Sequence, residues 1–264
     1  MGSQAVQSSL WGQRPADWAN VQELTSRPVY LAVLDSLPLA AGPRLLDVGC
    51  GSGHFGQLAH ERGARVTGLD ATPAFVEAAR RRVPAGHFGV GDMEALPFPD
   101  EAFDVVCGFN SFQYAADGRA ALREARRVLT GTGQLVIAIW GNPEDCEAAT
   151  YLRAVGSLLP PPPPGAPGPF ALSQNGLLET MLRDADLAVV RVADLPCPWH
   201  YPNAEEALRG LLSAGPAARA IEHSGWELTR ATVAAALQPF VRPDGQVVYH
   251  NTYRVVVAQK ASSN

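Results

Sequence analysis

Three carboxylates and one amide stand where an apolar run gives way to a turn. Asp47 lies in Leu45-Leu46-Asp47-Val48, Asp70 closes Val66-Thr67-Gly68-Leu69-Asp70, Asp92 sits in Gly91-Asp92-Met93, and Asn110 follows Phe109. After Val48 come three glycines at alternate positions, in Gly49-Cys50-Gly51-Ser52-Gly53. Such a turn lets the backbone take unusual dihedrals and lets a ligand approach the main chain closely. A carboxylate at a strand end can accept two hydrogen bonds from ribose hydroxyls. The thioether of Met93 can pack against a purine, and the Asn110 amide can both donate and accept. The chemistry is recognition of an adenosine-containing cofactor. Gly51-Ser52-Gly53-His54-Phe55-Gly56 also satisfies the G-x-G-x-x-G dinucleotide pattern, with Asp70 at about the ribose-carboxylate separation. These residues therefore leave a nicotinamide cofactor open, as well as a glycine turn with no ligand.

Those side chains need a scaffold that gathers strand ends. Arg44–Val48 reads as a first strand, His54–Arg62 as a helix stopped by Gly63, and Ala64–Asp70 as a second strand. Thr72-Pro73 supplies an N-cap and a proline at the first helical position of a helix to about Arg82. His87–Val90 is a short third strand, and Phe103–Phe109 a fourth, apolar enough to be buried on both faces. Asp117 caps a helix to Leu129, and Gly131-Thr132-Gly133 turns into a fifth strand, Gln134–Trp140. Strands joined by short helical crossovers predict an α/β, doubly wound parallel sheet. Its ligands bind at the carboxyl ends of the strands, where Asp47, Asp70, Asp92 and Asn110 all fall.

The flanks are less regular. Residues 1–40 are a polar opening followed by helical material, with Val29–Leu34 spaced as a buried helix and Trp11 and Trp18 as packing anchors or a lid. Beyond Trp140, Pro160–Pro164 with Pro167 and Pro169 reads as a stiff, extended connector. Leu177–Arg183 reads as a helix, Leu187–Val192 as a sixth strand, and 203–240 as helix interrupted at Gly215-Pro216. Asp244-Gly245 turns into one long last strand, Val247–Ala258. Candidate proton acceptors in these flanks are His200, His223 and His250. Each also reads as a surface or packing histidine.

The formal charge is −5, with 21 basic and 26 acidic residues, so no electrostatic footprint for nucleic acid is present. Arg80-Arg81-Arg82 reads as favourable charge at a helix end. No apolar stretch approaches the roughly 20 residues of a membrane span, and no signal segment opens the chain. Cys50, Cys107, Cys146 and Cys197 show neither CxxC spacing nor a disulfide framework, which fits reduced cysteines in the cytoplasm. Histidines and cysteines show no metal-ligand spacing, and no metal is expected.

Leu46-Asp47-Val48-Gly49-Cys50-Gly51-Ser52-Gly53, Val66–Asp70 and Gly91-Asp92-Met93-Glu94-Ala95-Leu96-Pro97-Phe98 resemble the class I S-adenosylmethionine-dependent methyltransferases. Phe103-Asp104-Val105-Val106, Glu124–Leu129 and Gly133-Gln134-Leu135 complete the series, most similar to the ubiquinone/menaquinone-biosynthesis type. The resemblance is specific over 44–140. It implies a Rossmann-like seven-stranded sheet, mostly parallel with an antiparallel last strand, in a single domain over 1–264. Residues 1–40 would be a helical lid, 41–140 the cofactor-binding core, and 141–176 and 196–245 cap insertions around the acceptor. It implies S-adenosylmethionine rather than a nicotinamide cofactor. Gly49 and Gly51 would admit the methionine moiety, Asp47 would help hold its ammonium directly or through water, Asp70 would bind the ribose, Asp92 the adenine amino group, and Met93 the adenine face and ring nitrogen. Phe109 and Asn110 would border the methionine end, Cys50 and Ala71 would adjoin the cofactor, and Trp18 and Tyr30 would be lid contacts.

The implied reaction is methyl transfer to a small, largely apolar acceptor, with O- or C-methylation aided by His200 or His223 if any base is used. The expected partners are that acceptor, with no nucleic acid and no membrane, in a monomer or homodimer. The alternative is a protein of the same fold that binds S-adenosylmethionine without transferring its methyl, in a cyclase or regulatory role.

Overall fold

Apolar residues on successive positions of the central strands leave the backbone no polar face to present to water, so the sheet they form must be covered on both sides. The computed structural model, which describes residues 2–161 and 168–261, shows this arrangement. The strands are β1 (Arg44–Val48), β2 (Arg65–Asp70), β3 (His87–Val90), β4 (Phe103–Phe109), β5 (Leu129–Trp140), β6 (Leu187–Pro196), β7 (Trp199–Tyr201), β8 (Val247–Tyr249) and β9 (Thr252–Lys260). Seven form one sheet in the order β3-β2-β1-β4-β5-β9-β6. β1 to β5 pair in parallel, and β9 runs antiparallel to both β5 and β6. The fold is the Rossmann-like, doubly wound sheet with an antiparallel last strand that the sequence predicts.

Alternate residues feed two cores. Leu45, Val105, Cys107, Val136 and Val255 pack with Val29 and Val33 of the helix Arg27–Asp35 and with Phe55 of the helix His54–Glu61. Leu46, Val106, Leu135, Ile137 and Val256 face the other way, onto Leu122 of the helix Gly118–Val128 and Leu182 of the helix Leu177–Asp184. Each such buried Leu, Ile or Val contributes about 1.5–3 kcal/mol. The strand order reverses between β1 and β4, and there the carboxyl ends open a crevice for a ligand.

Local signals hold where expected. Asp117 Oδ1 accepts from the Ala120 amide at 3.0 Å, and Gly63 takes a φ of +99° just past the helix His54–Glu61. Thr72 stands at the N-cap of the helix Pro73–Arg82, but its hydroxyl makes no capping bond there. Instead Asp70 Oδ1 accepts from the Thr72 amide at 2.8 Å.

Three readings change. β5 begins at Leu129: its pairing with β4 jumps from Phe103–Leu129 to Val105–Gln134, so the expected Gly131–Gly133 turn becomes an excursion within the strand. The helical stretch also breaks a second time, at Gly225 with φ +85°, giving helices Ala204–Leu212, Gly215–Ser224 and Trp226–Leu237. The long last strand divides at His250-Asn251. Here the Asn251 carbonyl accepts from Cys197 N at 2.7 Å and the His250 carbonyl from Glu147 N at 2.9 Å. With those groups committed elsewhere, Val247–Tyr249 leaves the main sheet and forms a ribbon with β7. The proline connector falls partly on 162–167, outside the described residues. Among the described residues no helix is long and apolar enough to cross a membrane.

At the start of the helix His54–Glu61, burial and then the Arg82 and Arg27 charges push the His54 imidazole down to about 4 from the ordinary 6.5. Its Nε2 is buried without a partner. As pH falls through 6.5 toward 4 the unfolded chain gains a proton that the folded chain refuses, so acid destabilises the fold in that window. Between pH 7 and pH 5, calorimetric melting of wild type should therefore drop further than that of His54→Gln. Equal drops would show that His54 is not the proton-linked group.

Candidate active site

The glycine turn is built by its backbone. Gly49, Gly51 and Gly53 take φ values of +77°, +53° and +84°, the left-handed region that side chains avoid. The Gly49 and Cys50 amides both donate to the Leu69 carbonyl, at 2.7 and 3.0 Å. That ties the turn to the end of β2. Asp70 then holds two amides at once: Oδ2 accepts from Gly51 at 2.9 Å and Oδ1 from Thr72 at 2.8 Å. Burial raises its carboxyl, and those amide bonds oppose the rise.

Residues 2–26 cross over this turn. The helix Gln4–Trp11 begins on Asp92 and Glu94, with Ser3 N donating to Glu94 Oε1 at 3.1 Å and Gln4 N to Asp92 Oδ2 at 3.4 Å. Trp18–Gln22 is π-helical and Glu23–Ser26 tightens to a 3-10 turn. Glu23, buried, accepts from the Ser52 amide at 2.8 Å, from the Ser52 hydroxyl, and from Arg82 Nη1 at 2.7 Å. Arg82 also donates to the Ser52 carbonyl at 3.0 Å and the Ala19 carbonyl at 3.2 Å. A Cβ on Gly51 would stand 2.6 Å from Glu23 Oε1 and 3.4 Å from Trp18 Nε1, so this cradle has room for glycine alone.

One cavity, with about 1180 Å³ of empty space including open solvent at its mouth, runs from this turn across the strand ends. Trp18, Tyr30, Gly49, Gly51, Asp70, Ala71, Asp92, Met93, Phe109 and Asn110 line it. Asp47 and Cys50 do not: both are buried off its wall, and Asp47 is pushed well up by burial and by the Glu23 and Asp70 charges. Beyond Asn110 the cavity turns aromatic. Tyr30 meets Phe109 at 4.8 Å between ring centroids, and Trp140 meets Tyr253 at 5.2 Å and Trp199 at 5.4 Å. Asn110, at φ +48°, donates from Nδ2 to Tyr253 Oη at 2.9 Å. Trp18 Nε1, Asn110 Oδ1 and Trp199 Nε1 are buried with no partner.

The histidines lie elsewhere. His200 is exposed on β7, His223 is exposed with Nδ1 2.9 Å from the Leu158 carbonyl, and His250 pairs with Glu147. None lines the cavity. The site residues that the sequence leaves unmarked are Glu23, Arg82, Trp199 and Tyr253. No motif surrounds them, and Arg82 reads as one charge among three at a helix end.

Residues 46–137 match the family described as a methyltransferase domain. Over 97 residues the chain is 41% identical to a malonyl-[acyl-carrier protein] O-methyltransferase of Serratia marcescens, covering 37% of this chain and 38% of that one. Over 163 residues it is 34% identical to the O-methyltransferase cnsE of Penicillium expansum, covering 59% of this chain and 56% of that one. The chain thus spans about half the length of the curated relatives it matches. Among solved structures, the YcgJ protein of Bacillus subtilis superposes with a TM-score of 0.59 at 23% identity over 89% of this chain and 98% of that one, a likeness of fold.

The Glu23–Arg82 pair joins the crossing segment 2–26, a strap over the site, to the turn, with side chains 3% and 21% exposed. Removing one member leaves the other buried and uncompensated, which costs about 3 kcal/mol or more, whereas removing both is close to neutral. Urea denaturation should show Arg82→Met destabilised by about that amount and Glu23→Gln/Arg82→Met largely restored. A double variant as unstable as the single one would show that packing, not charge, is what Arg82 supplies.

Proposed function

We propose that this chain, whose core is a class I S-adenosylmethionine-dependent methyltransferase domain, carries out methyl transfer from S-adenosylmethionine to a small, largely apolar organic acceptor. The observation that carries the reading is the single cavity that joins the glycine turn, Asp70 and Asp92 to an aromatic chamber at the switch point of the sheet.

The residues present fit the cofactor. The cradle at Gly51 excludes any side chain, the buried Trp18 Nε1 has a hydrogen to give, and Asp70 keeps lone pairs free beyond its two amide bonds. Asp70 would take the ribose, Asp92 and Met93 the adenine, and Gly49, Gly51 and Trp18 the methionine part. Asp47, off the wall, would act on the ammonium by charge through the turn. When bound, S-adenosylmethionine supplies an electrophilic methyl on a sulfonium. The chain's own task is to align an acceptor with it and exclude water, an effect worth about 7–11 kcal/mol. Tyr30, Phe109 and Asn110 stand between the two halves and hold that alignment. Since no histidine among the described residues lines the cavity, the acceptor's proton would pass to water at the cavity mouth.

We read 1–264 as one catalytic unit with residues 2–26 as its strap and the segments after β5 and β6 as its cap. The net charge of −5 argues against a nucleic-acid partner, and four free, buried cysteines accord with the cytoplasm. The protein would act as a monomer or homodimer.

Calorimetric titration tests the cofactor. S-adenosylhomocysteine should bind wild type with micromolar affinity, and NAD should give no heat. Asp70→Ala and Asp70→Asn should weaken binding at least tenfold, about 1.4 kcal/mol, while His200→Ala and His223→Ala should match wild type. Binding indifferent to Asp70, or binding of NAD, would overturn the reading. Mass spectrometry of an acceptor pool incubated with S-adenosylmethionine separates transfer from the non-transferring alternative, because only transfer adds a methyl group.

A further inference from the structure

The charge along the cavity is one-sided. Its lining holds two carboxylates, Asp70 and Asp92, and no lysine, arginine or histidine among the described residues. Glu23 lies buried just behind the turn, with its own positive partner, Arg82, already committed to it and to Ser52. The aromatic half carries no charged side chain among the described residues: its walls are mainly rings with Leu152, Leu211 and Ala214, and Gln22 and Ser26 lie among them. A carboxylate placed there would lose its hydration with no cationic side chain of the lining to replace it, and would face a cluster of buried acids besides.

Besides the unpartnered Trp199 Nε1 and the side chains of Gln22 and Ser26, the chamber offers two polar groups that are bonded to each other, Asn110 and Tyr253. Tyr253 Oη accepts from Asn110 Nδ2 at 2.9 Å, and the Ser26 and Trp199 side chains stand beside the same oxygen. Asn110 Oδ1 is buried and accepts nothing. The Tyr253 hydroxyl as donor and the unpartnered Asn110 Oδ1 as acceptor, fixed together by the bond between their side chains, complement a group that both accepts and donates. A hydroxyl does both, whereas a carboxylate only accepts. Burial pushes the Tyr253 phenol well up, so it stays a donor.

We propose that the acceptor is an uncharged, ring-bearing hydroxyl compound, a phenol, enol or alcohol rather than a carboxylate, whose hydroxyl accepts from Tyr253 and donates to Asn110 Oδ1. This rests on the methyltransferase reading of the same cavity and narrows it to one acceptor chemistry. Tyr253 acts as a positioning residue. In the transfer, the methyl–sulfur bond breaks with its electron pair left on sulfur, the oxygen–methyl bond forms, and the hydroxyl proton leaves to water.

The test is calorimetry on the full chain saturated with S-adenosylhomocysteine, using 2-naphthol, 2-naphthoate and naphthalene at neutral pH as probes of equal ring area. 2-Naphthol should bind at least tenfold more tightly than 2-naphthoate. Tyr253→Phe should weaken 2-naphthol at least fivefold and leave naphthalene unchanged, a split that a merely structural role would not produce. Equal or tighter binding of 2-naphthoate would overturn the inference, as would failure of every probe to bind or equal loss of 2-naphthol and naphthalene in Tyr253→Phe. If S-adenosylhomocysteine itself does not bind, the methyltransferase reading fails and takes this inference with it. If it binds and 2-naphthoate is preferred, the acceptor class alone is wrong.

Discussion

The Glu23 carboxylate, buried under the glycine turn, ties together three segments far apart in sequence: the strap at 18–26, the turn at Ser52, and Arg82 at the end of the helix Pro73–Arg82. A buried charge is costly unless it is paired and fully hydrogen-bonded. Glu23 meets that condition only when all three segments are in place, so the turn cannot hold its left-handed dihedrals independently of the strap that roofs it. The same knot sets Trp18 beside Gly51 and puts its Nε1 at the cavity. Shape and charge at the cofactor end thus share one origin.

The knot also leaves an electrostatic imbalance. Asp47, Glu23 and Asp70 are all buried and pushed up, Asp47 in part by the other two, and among the described residues Arg82 is the one guanidinium bonded within the group. A ligand that brings positive charge relieves carboxylates held in this way, while an anion adds to their repulsion. A sulfonium with an ammonium group answers that need, which is why the acidic end suits this cofactor better than a pyrophosphate-bearing dinucleotide. The glycine pattern alone does not separate the two. The surroundings of the turn do.

What could be read from the chain follows from how local each signal is. β1, β3 and β4 have the expected bounds because an apolar run flanked by turn residues needs no distant partner to define it. Asp70, Asp92 and Asn110 were legible as lining residues of one cavity because position at a strand end is also a local property. Glu23 and Arg82 were not, since each is an ordinary helix-borne charge until the fold brings them within 2.7 Å. Asp47 differs for a related reason: its position at the end of β1 is local, but whether its side chain lines the cavity depends on the turn above it. The split of the last strand depends likewise on Glu147 and Cys197 claiming the His250 and Asn251 carbonyls, a pairing that no periodicity in Val247–Ala258 announces.

The antiparallel strand explains why the aromatic chamber exists where it does. In parallel strands only the carboxyl ends reach the ligand edge, so a sixth and seventh parallel strand would bring their last residues there. β9 runs the other way, and its first residues arrive instead, with Tyr253 paired opposite Trp140 at the end of β5. The chain approaching that edge is the β8 segment and the His250-Asn251 corner, which carries Tyr249 against Trp199 of β7 and seats the cap on the chamber. Asn110 joins the halves: its amide donates to the Ala138 carbonyl of β5 at 2.7 Å, and its side chain reaches Tyr253 of β9. Reversing one strand thus places an aromatic wall from the end of the chain directly against a cofactor site built from its first half.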